Sequence, residues 1–237
     1  MQLSHKLKKL GSGRALQSAQ RQSPLLRRPS VPLDPESLTK AIEGEELEAI
    51  RQRHVIENPG IAWPKYFDLP RWMKTNLQRV RALGLDWGLR KRILDLGCGA
   101  GYFLFIAQCL GHEVLGLDID EVPMFGEMTL MLGIGRVVWQ IKPFERLPKL
   151  GRKFDLITAF MICFNGHKSP TLWGRAEGEF FLDDLETHLA PHGGICLGFN
   201  REDDGSFYSE ELREYFADRE ARLEKNRALI TRRAVIS

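Results

Sequence analysis

The stretch Ile93-Leu94-Asp95-Leu96-Gly97-Cys98-Gly99-Ala100-Gly101-Tyr102-Phe103 decides the fold. Apolar residues run straight into three glycines at alternate positions, and a helical pattern starts immediately afterwards. Glycine permits positive φ and leaves no Cβ in the way of a ligand. The helix that follows would turn unpaired N–H groups toward a polar or anionic ligand group. Such a turn belongs at the carboxyl end of a strand, where open α/β sheets bind their ligands.

Outward from this loop, apolar segments bounded by glycine or acid alternate with helical patterns. The reading places strands at about 92–97, 113–118, 136–141, 154–160 and 193–199, and helices at about 101–110, 121–132, 175–189 and 208–217. Strand–helix alternation of this kind predicts a parallel sheet covered on both faces, a doubly wound α/β fold. Two short segments, 219–224 and 227–232, are expected to close the sheet as a hairpin around Lys225 and Asn226. Upstream, Leu38, Ala41, Ile42, Leu47 and Ile50 recur at helical spacing between Pro35 and His54. Ser37 would open that helix, and Asn58-Pro59-Gly60 would stop it. A second helix is expected over 69–83, with Trp72, Leu77, Val80 and Leu83 on one side.

The 237 residues suit one α/β domain with an N-terminal extension, or at most two small domains. No apolar run approaches the roughly 18 residues that span a bilayer, so a soluble protein is expected. The cysteines, Cys98, Cys109, Cys163 and Cys196, form no CxxC pair, and no secretory signal is visible, which points to a reducing, cytoplasmic setting with free thiols. Charge is unevenly distributed. Residues 1–33 hold seven of the 34 basic residues and none of the 31 acidic ones, leaving 27 against 31 downstream, a net of −4. The expected organisation is a basic, solvated leader over 1–33, a helical extension over 34–89 and the sheet domain over 90–237. The leader also reads as a tether for nucleic acid or an anionic surface, or as a transit peptide.

The glycine spacing is GxGxG with Asp95 two residues ahead, whereas a nicotinamide fingerprint would read GxGxxG. This DxGxGxG form resembles motif I of the class I S-adenosylmethionine (SAM)-dependent methyltransferases, and the likeness covers about residues 90–200. The resemblance implies a mostly parallel seven-stranded sheet and SAM as cofactor, with Asp95, Gly97, Cys98, Gly99 and Gly101 beside its methionine part. Asp118 ends the next strand, 17 residues after Gly101. A carboxylate there can accept hydrogen bonds from both ribose hydroxyls, and the resemblance gives it that role, with Ile119 alongside. Asp120 reads as a helix N-cap near Glu121. Relatives usually carry an acid that meets adenine where this chain has Pro143, so Phe144 or its backbone is a candidate to flank the ring, with core packing as the alternative. Asp155, in a segment like the family's FDxI/V strand, reads as structural. Lys65-Tyr66-Phe67-Asp68-Leu69 resembles a lead-in helix that covers the cofactor, which makes Tyr66 and Lys74 candidates for the methionine carboxylate.

The acceptor side is expected after the fourth strand, in Met161 to Lys168 and on toward Trp173. His167 is the candidate general base, because imidazole titrates near neutral pH, and Asn165 is a candidate to orient the acceptor. The Asn/Asp-Pro-Pro-aromatic tetrapeptide of amino methyltransferases is absent, and Ile162, not proline, precedes Cys163. No histidine pair has zinc-ligand spacing. The expected activity is methyl transfer to an oxygen or nitrogen of a small molecule or of a glycan- or lipid-linked metabolite. The alternatives are an RNA or protein methyltransferase guided by the basic leader, a nicotinamide-dependent oxidoreductase, and a SAM-binding protein without catalysis.

Overall fold

The computed structural model describes residues 29–58, 64–161, 173–201 and 205–231. Strands β1 (Arg92–Leu96), β2 (Glu113–Asp118), β3 (Arg136–Val138), β4 (Phe154–Phe160), β5 (Leu189–Gly198), β6 (Arg222–Glu224) and β7 (Arg227–Thr231) form one sheet in the order β3-β2-β1-β4-β5-β7-β6. The first five run parallel, and β7 is antiparallel to both β5 and β6. The doubly wound, mostly parallel seven-stranded sheet read from the sequence is therefore the observed fold. The closing hairpin turns at Lys225, which adopts φ 49°, and Asn226.

Successive residues of a strand face opposite sides, and β1 divides the core accordingly. Ile93 packs into one cluster, with the helices α1 (Pro35–Lys40), α2 (Glu45–Arg51), α3 (Leu69–Ala82), α4 (Tyr102–Cys109) and α5 (Pro123–Met131). Leu94 and Leu96 pack into the other, with α6 (Arg175–His188) and α7 (Glu210–Asp218). Asp95 thus projects to the side of α3 and α4. The direction of strand addition reverses between β1 and β4, which opens a crevice at their carboxyl ends.

Three local differences from the sequence reading have physical causes. The expected helix over 35–54 is broken near Gly44 into α1 and α2, and α1 is capped by Asp34, which accepts from the Ser37 N–H at 2.9 Å, rather than opened by Ser37. Acidic Glu45, Glu46 and Glu48 in the first turn of α2 suit a fresh helix start. A π-turn, Gln52–Ile56, then carries Arg53 and His54 together onto Glu127 of α5. Asp120 does not cap α5, whose N-cap is Val122; it pairs with Arg136 instead. Strand β5 begins at Leu189, earlier than expected, with an irregular register opposite Phe154–Leu156.

The chain at 30–33 packs against the domain: Ser30 N–H donates to the Cys109 carbonyl at 2.8 Å, and Val31 and Leu33 lie against the first cluster. Asp155 is structural, as read, accepting from the backbone N–H of Arg92 at 2.7 Å and so joining β4 to β1. Cys98, Cys109 and Cys196 are buried free thiols. Among the described residues no helix is long and apolar enough to cross a membrane.

Candidate active site at the carboxyl ends of β1, β2 and β4

The glycine loop is held by its own backbone. Gly97 N–H donates to the Leu117 carbonyl at 2.7 Å, tying the end of β1 to β2, and Gly101 N–H closes the turn on the Cys98 carbonyl at 3.0 Å. Gly101 adopts φ 79°, and a Cβ there would sit 3.1 Å from Thr129 Cγ2, so the turn needs glycine on both counts. Gly99 adopts φ 54° and lies under the edge of the Phe125 ring.

Asp118 ends β2 facing this loop. One carboxylate oxygen accepts from Gly99 N–H at 2.5 Å and the other from Ile119 N–H at 2.8 Å. A carboxylate has about four acceptor sites, so two remain for a ligand. Burial raises the Asp118 pKa, and the two backbone donors and Arg136 oppose that rise. Asp95 is buried, with its carboxyl accepting the Thr158 hydroxyl at 2.6 Å across the β1–β4 register. Burial pushes its pKa up to about 7, against the Thr158 hydrogen bond and the nearby Arg79. Burial likewise drives the Cys98 thiol far above its ordinary range, so it remains an uncharged packing group.

These groups share one cavity of about 480 Å³. Asp95, Gly97, Cys98, Gly99, Gly101, Asp118 and Tyr66, all candidates from the sequence, line it together. Tyr66 reaches it because Tyr102, at the start of α4, donates its hydroxyl to the Tyr66 carbonyl at 2.7 Å. The Tyr66 ring stacks on Trp72 at 5.4 Å and meets Phe125 edge-on at 4.9 Å. Other candidates lie elsewhere. Ile119 and Phe144 do not line this cavity. Ile119 uses its N–H on Asp118 and its carbonyl on Arg136, and Phe144, exposed at φ 58°, packs edge-on against Phe180. Lys74 is exposed on the outer side of α3. Asn165 and His167 fall outside the described residues.

The cavity also recruits Met161, which opens the stretch expected on the acceptor side, and residues to which the sequence reading gave no site role: Trp72, Asn76 and Arg79 from α3, Phe160 from the end of β4, and Asn200 after β5. Asn200 Nδ2 donates to the Met161 carbonyl at 2.9 Å and bridges the two strand ends. The signal for Asn76 and Arg79 was present as polar residues three apart on an amphipathic helix. The face they occupy lines the cavity only because α3 is laid across the crevice.

Residues 68–227, about two thirds of the chain, match the family described as "Methyltransferase domain". The chain belongs to that family. The methyltransferase resemblance read from Asp95 and the glycine loop is thereby borne out, and the matched domain is built on the doubly wound sheet. The methyltransferase match begins at Asp68, the N-cap of α3. Among curated proteins, a tRNA U34 carboxymethyltransferase of Campylobacter hominis is 30% identical over 118 residues, a match spanning 45% of this chain and 40% of that protein. Among solved structures, the PH0226 protein of Pyrococcus horikoshii OT3 is 19% identical with a TM-score of 0.43, covering 74% of this chain and 70% of that one. The SAM-bound amino pentose methyltransferase CalS10 of Micromonospora echinaspora is 27% identical with a TM-score of 0.38, covering 66% and 56%.

Proposed function

We propose that this methyltransferase acts on an oxygen or nitrogen atom of a small molecule or of a glycan- or lipid-linked metabolite, with SAM bound along the glycine loop. The supporting observation is the cavity itself. Its volume of about 480 Å³ lies in the range of small-ligand sites, and one crevice at three strand ends serves both the loop and the acceptor side. The donor set suits the cofactor: Asp118 retains free acceptor sites for two ribose hydroxyls, and Gly97 and Gly99, which carry no side chain, line the cavity.

When bound, SAM supplies a methyl group already activated on a sulfonium, so the protein's work is placement and proton removal. In this reading Asp118 holds the ribose. Gly97, Gly99 and Gly101, with Cys98 packed beneath, form the floor, and Tyr66 covers it. Met161 and Asn200 border the acceptor side. His167 takes the acceptor's proton and Asn165 orients the acceptor.

A second reading, methylation of RNA, draws on the tRNA-modifying enzyme named above and on the seven basic residues of the leader. Labelled-methyl transfer into cell extract, fractionated into small molecules, RNA and protein, separates the readings. Label in the small-molecule fraction supports the proposal. Label in RNA that falls steeply with salt, and with removal of residues 1–28, supports the second reading. Binding of SAM with no label in any fraction would leave a binding protein without catalysis.

A further inference from the structure

Charge is unevenly placed around the cavity. Its charged lining is Lys65, Arg71 and Arg79 against Asp95 and Asp118. Burial draws Asp95 toward its neutral form, and Asp118 is already engaged by the Gly99 and Ile119 N–H groups. The lining is therefore cationic. SAM does not balance it, because SAM brings a sulfonium and an ammonium against one carboxylate. With the cofactor in place the site is more positive still. The balancing negative charge falls to the acceptor.

The cations at the mouth are Lys65 and Arg71. Both line the cavity and both are exposed, whereas Arg79 lies deeper, its guanidinium against Phe160 and its Nη1 donating to Asn76. Helix α3 carries Arg71, Lys74, Arg79 and Arg81 and no acid over its 14 residues. Arg71 sits in the first turn, where the helix dipole disfavours a cation. Helix stability therefore gives no reason for an arginine there. The acid beside it, Asp68, caps the helix by accepting the Arg71 N–H at 3.3 Å and does not line the cavity. Lys65 is held at the same corner. Trp72, next to Arg71, donates its indole N–H to the Lys65 carbonyl at 2.7 Å, and Lys65 Nζ lies 5.1 Å from the centre of the Tyr66 ring. Among the described residues neither the Lys65 nor the Arg71 side chain has an ion-pair partner. An ammonium beside a guanidinium fork suits the oxygens of a phosphate or a carboxylate.

We propose that Lys65 and Arg71 form a cationic rim that takes a phosphate or carboxylate group of the acceptor, so that this methyltransferase acts on an anionic small molecule. The anionic group stays at the mouth, apart from the atom that receives the methyl group. This rests on the reading of the cavity as a SAM site with a small-molecule acceptor.

The test starts from the small-molecule fraction of cell extract, labelled by wild-type protein and SAM carrying a labelled methyl group. The labelled product should bind an anion exchanger at neutral pH, which unreacted SAM, a cation, does not. Loss of that retention on phosphatase treatment identifies a phosphate ester, and retention that survives it identifies a carboxylate. A neutral or cationic labelled product overturns the proposal, as does label confined to RNA or to protein. Initial rates over a dilution series of the retained material, in its unlabelled form, give an apparent KM. The double variant Lys65→Gln/Arg71→Gln should raise it about 10-fold, on the scale of lost charge-assisted contacts. It should leave S-adenosylhomocysteine affinity within about twofold of wild type by calorimetry. The dependence of kcat/KM on salt should flatten at the same time, because exposed charges are screened. Lys74→Gln, the same charge change on the outer side of α3, should leave KM unchanged. An unchanged KM in the double variant, or an equal rise in the Lys74 variant, would overturn the assignment of the rim. If wild type does not bind S-adenosylhomocysteine, the SAM reading itself fails, a result distinct from an indifferent rim.

Discussion

Asp95→Asn removes a charge from the floor of the cavity while keeping the oxygen that accepts the Thr158 hydroxyl. The native carboxyl is 3% exposed, and burial raises its pKa from 3.8 to about 7. The folded chain therefore holds this proton over a pH range in which the unfolded chain has released it. A group whose folded pKa is raised contributes stability below its unfolded value and loses that contribution as pH rises through the folded value. Wild type should thus lose stability from this group between about pH 4 and pH 7. At about 1.4 kcal/mol per pKa unit, a shift of roughly three units sets a ceiling of about 4 kcal/mol. Arg79 nearby loses a favourable neighbour in the variant, so we expect a gain of about 2 kcal/mol at pH 8, shrinking toward zero near pH 4. Urea unfolding of both proteins across that range reads the difference directly, with acid titration elsewhere common to both. A difference that does not change with pH, or a variant less stable than wild type at pH 8, would refute the assignment of a protonated, buried Asp95.

Asp118→Asn should keep the fold and weaken S-adenosylhomocysteine about 10- to 100-fold by calorimetry, because the group that the proposal sets against the ribose loses its charge and half of its acceptor oxygens. Gly116→Ala should destabilise by about 1–3 kcal/mol in urea unfolding. Its Cβ would lie 2.6 Å from Cys98 Sγ and 3.2 Å from Cys98 Cβ, so Cys98 must shift within the glycine loop, and cofactor affinity should fall with it. Met73→Ala, at a fully buried site where α3 meets the first core cluster, should cost about 2–5 kcal/mol. A thermal unfolding midpoint unchanged from wild type would show that α3 packs less tightly than described.

The fold was legible because local patterns agreed with one another. Alternating strands and helices implied the parallel sheet, and the turn signal at Lys225-Asn226 placed the closing hairpin. Errors came where local signals compete. Gly44 and its acidic neighbours start a new helix inside an apparently continuous pattern, and Asp120 found Arg136, 16 residues away, before it could cap a helix. The meeting of Asp95, the three glycines and Asp118 in one cavity was equally legible, since they lie on consecutive elements of one βαβ unit, whose geometry is nearly fixed by chain connectivity.

The sequence by itself determined the α/β class, the glycine loop and the acid at the end of β2. Each follows from residue spacing along one strand or one turn, and spacing is a local quantity. Tertiary structure alone decided which other groups meet that loop. Arg79 and Asn76 precede it by more than a dozen residues, and Phe160 and Asn200 follow it by many more. Their meeting depends on how α3 crosses the sheet and on where the strand order reverses. The same packing placed Phe144 outside the cavity and turned Lys74 outward. A helix offers several faces, and only burial of the Met73, Leu77 and Val80 face against the core selects which of the remaining side chains look into the crevice.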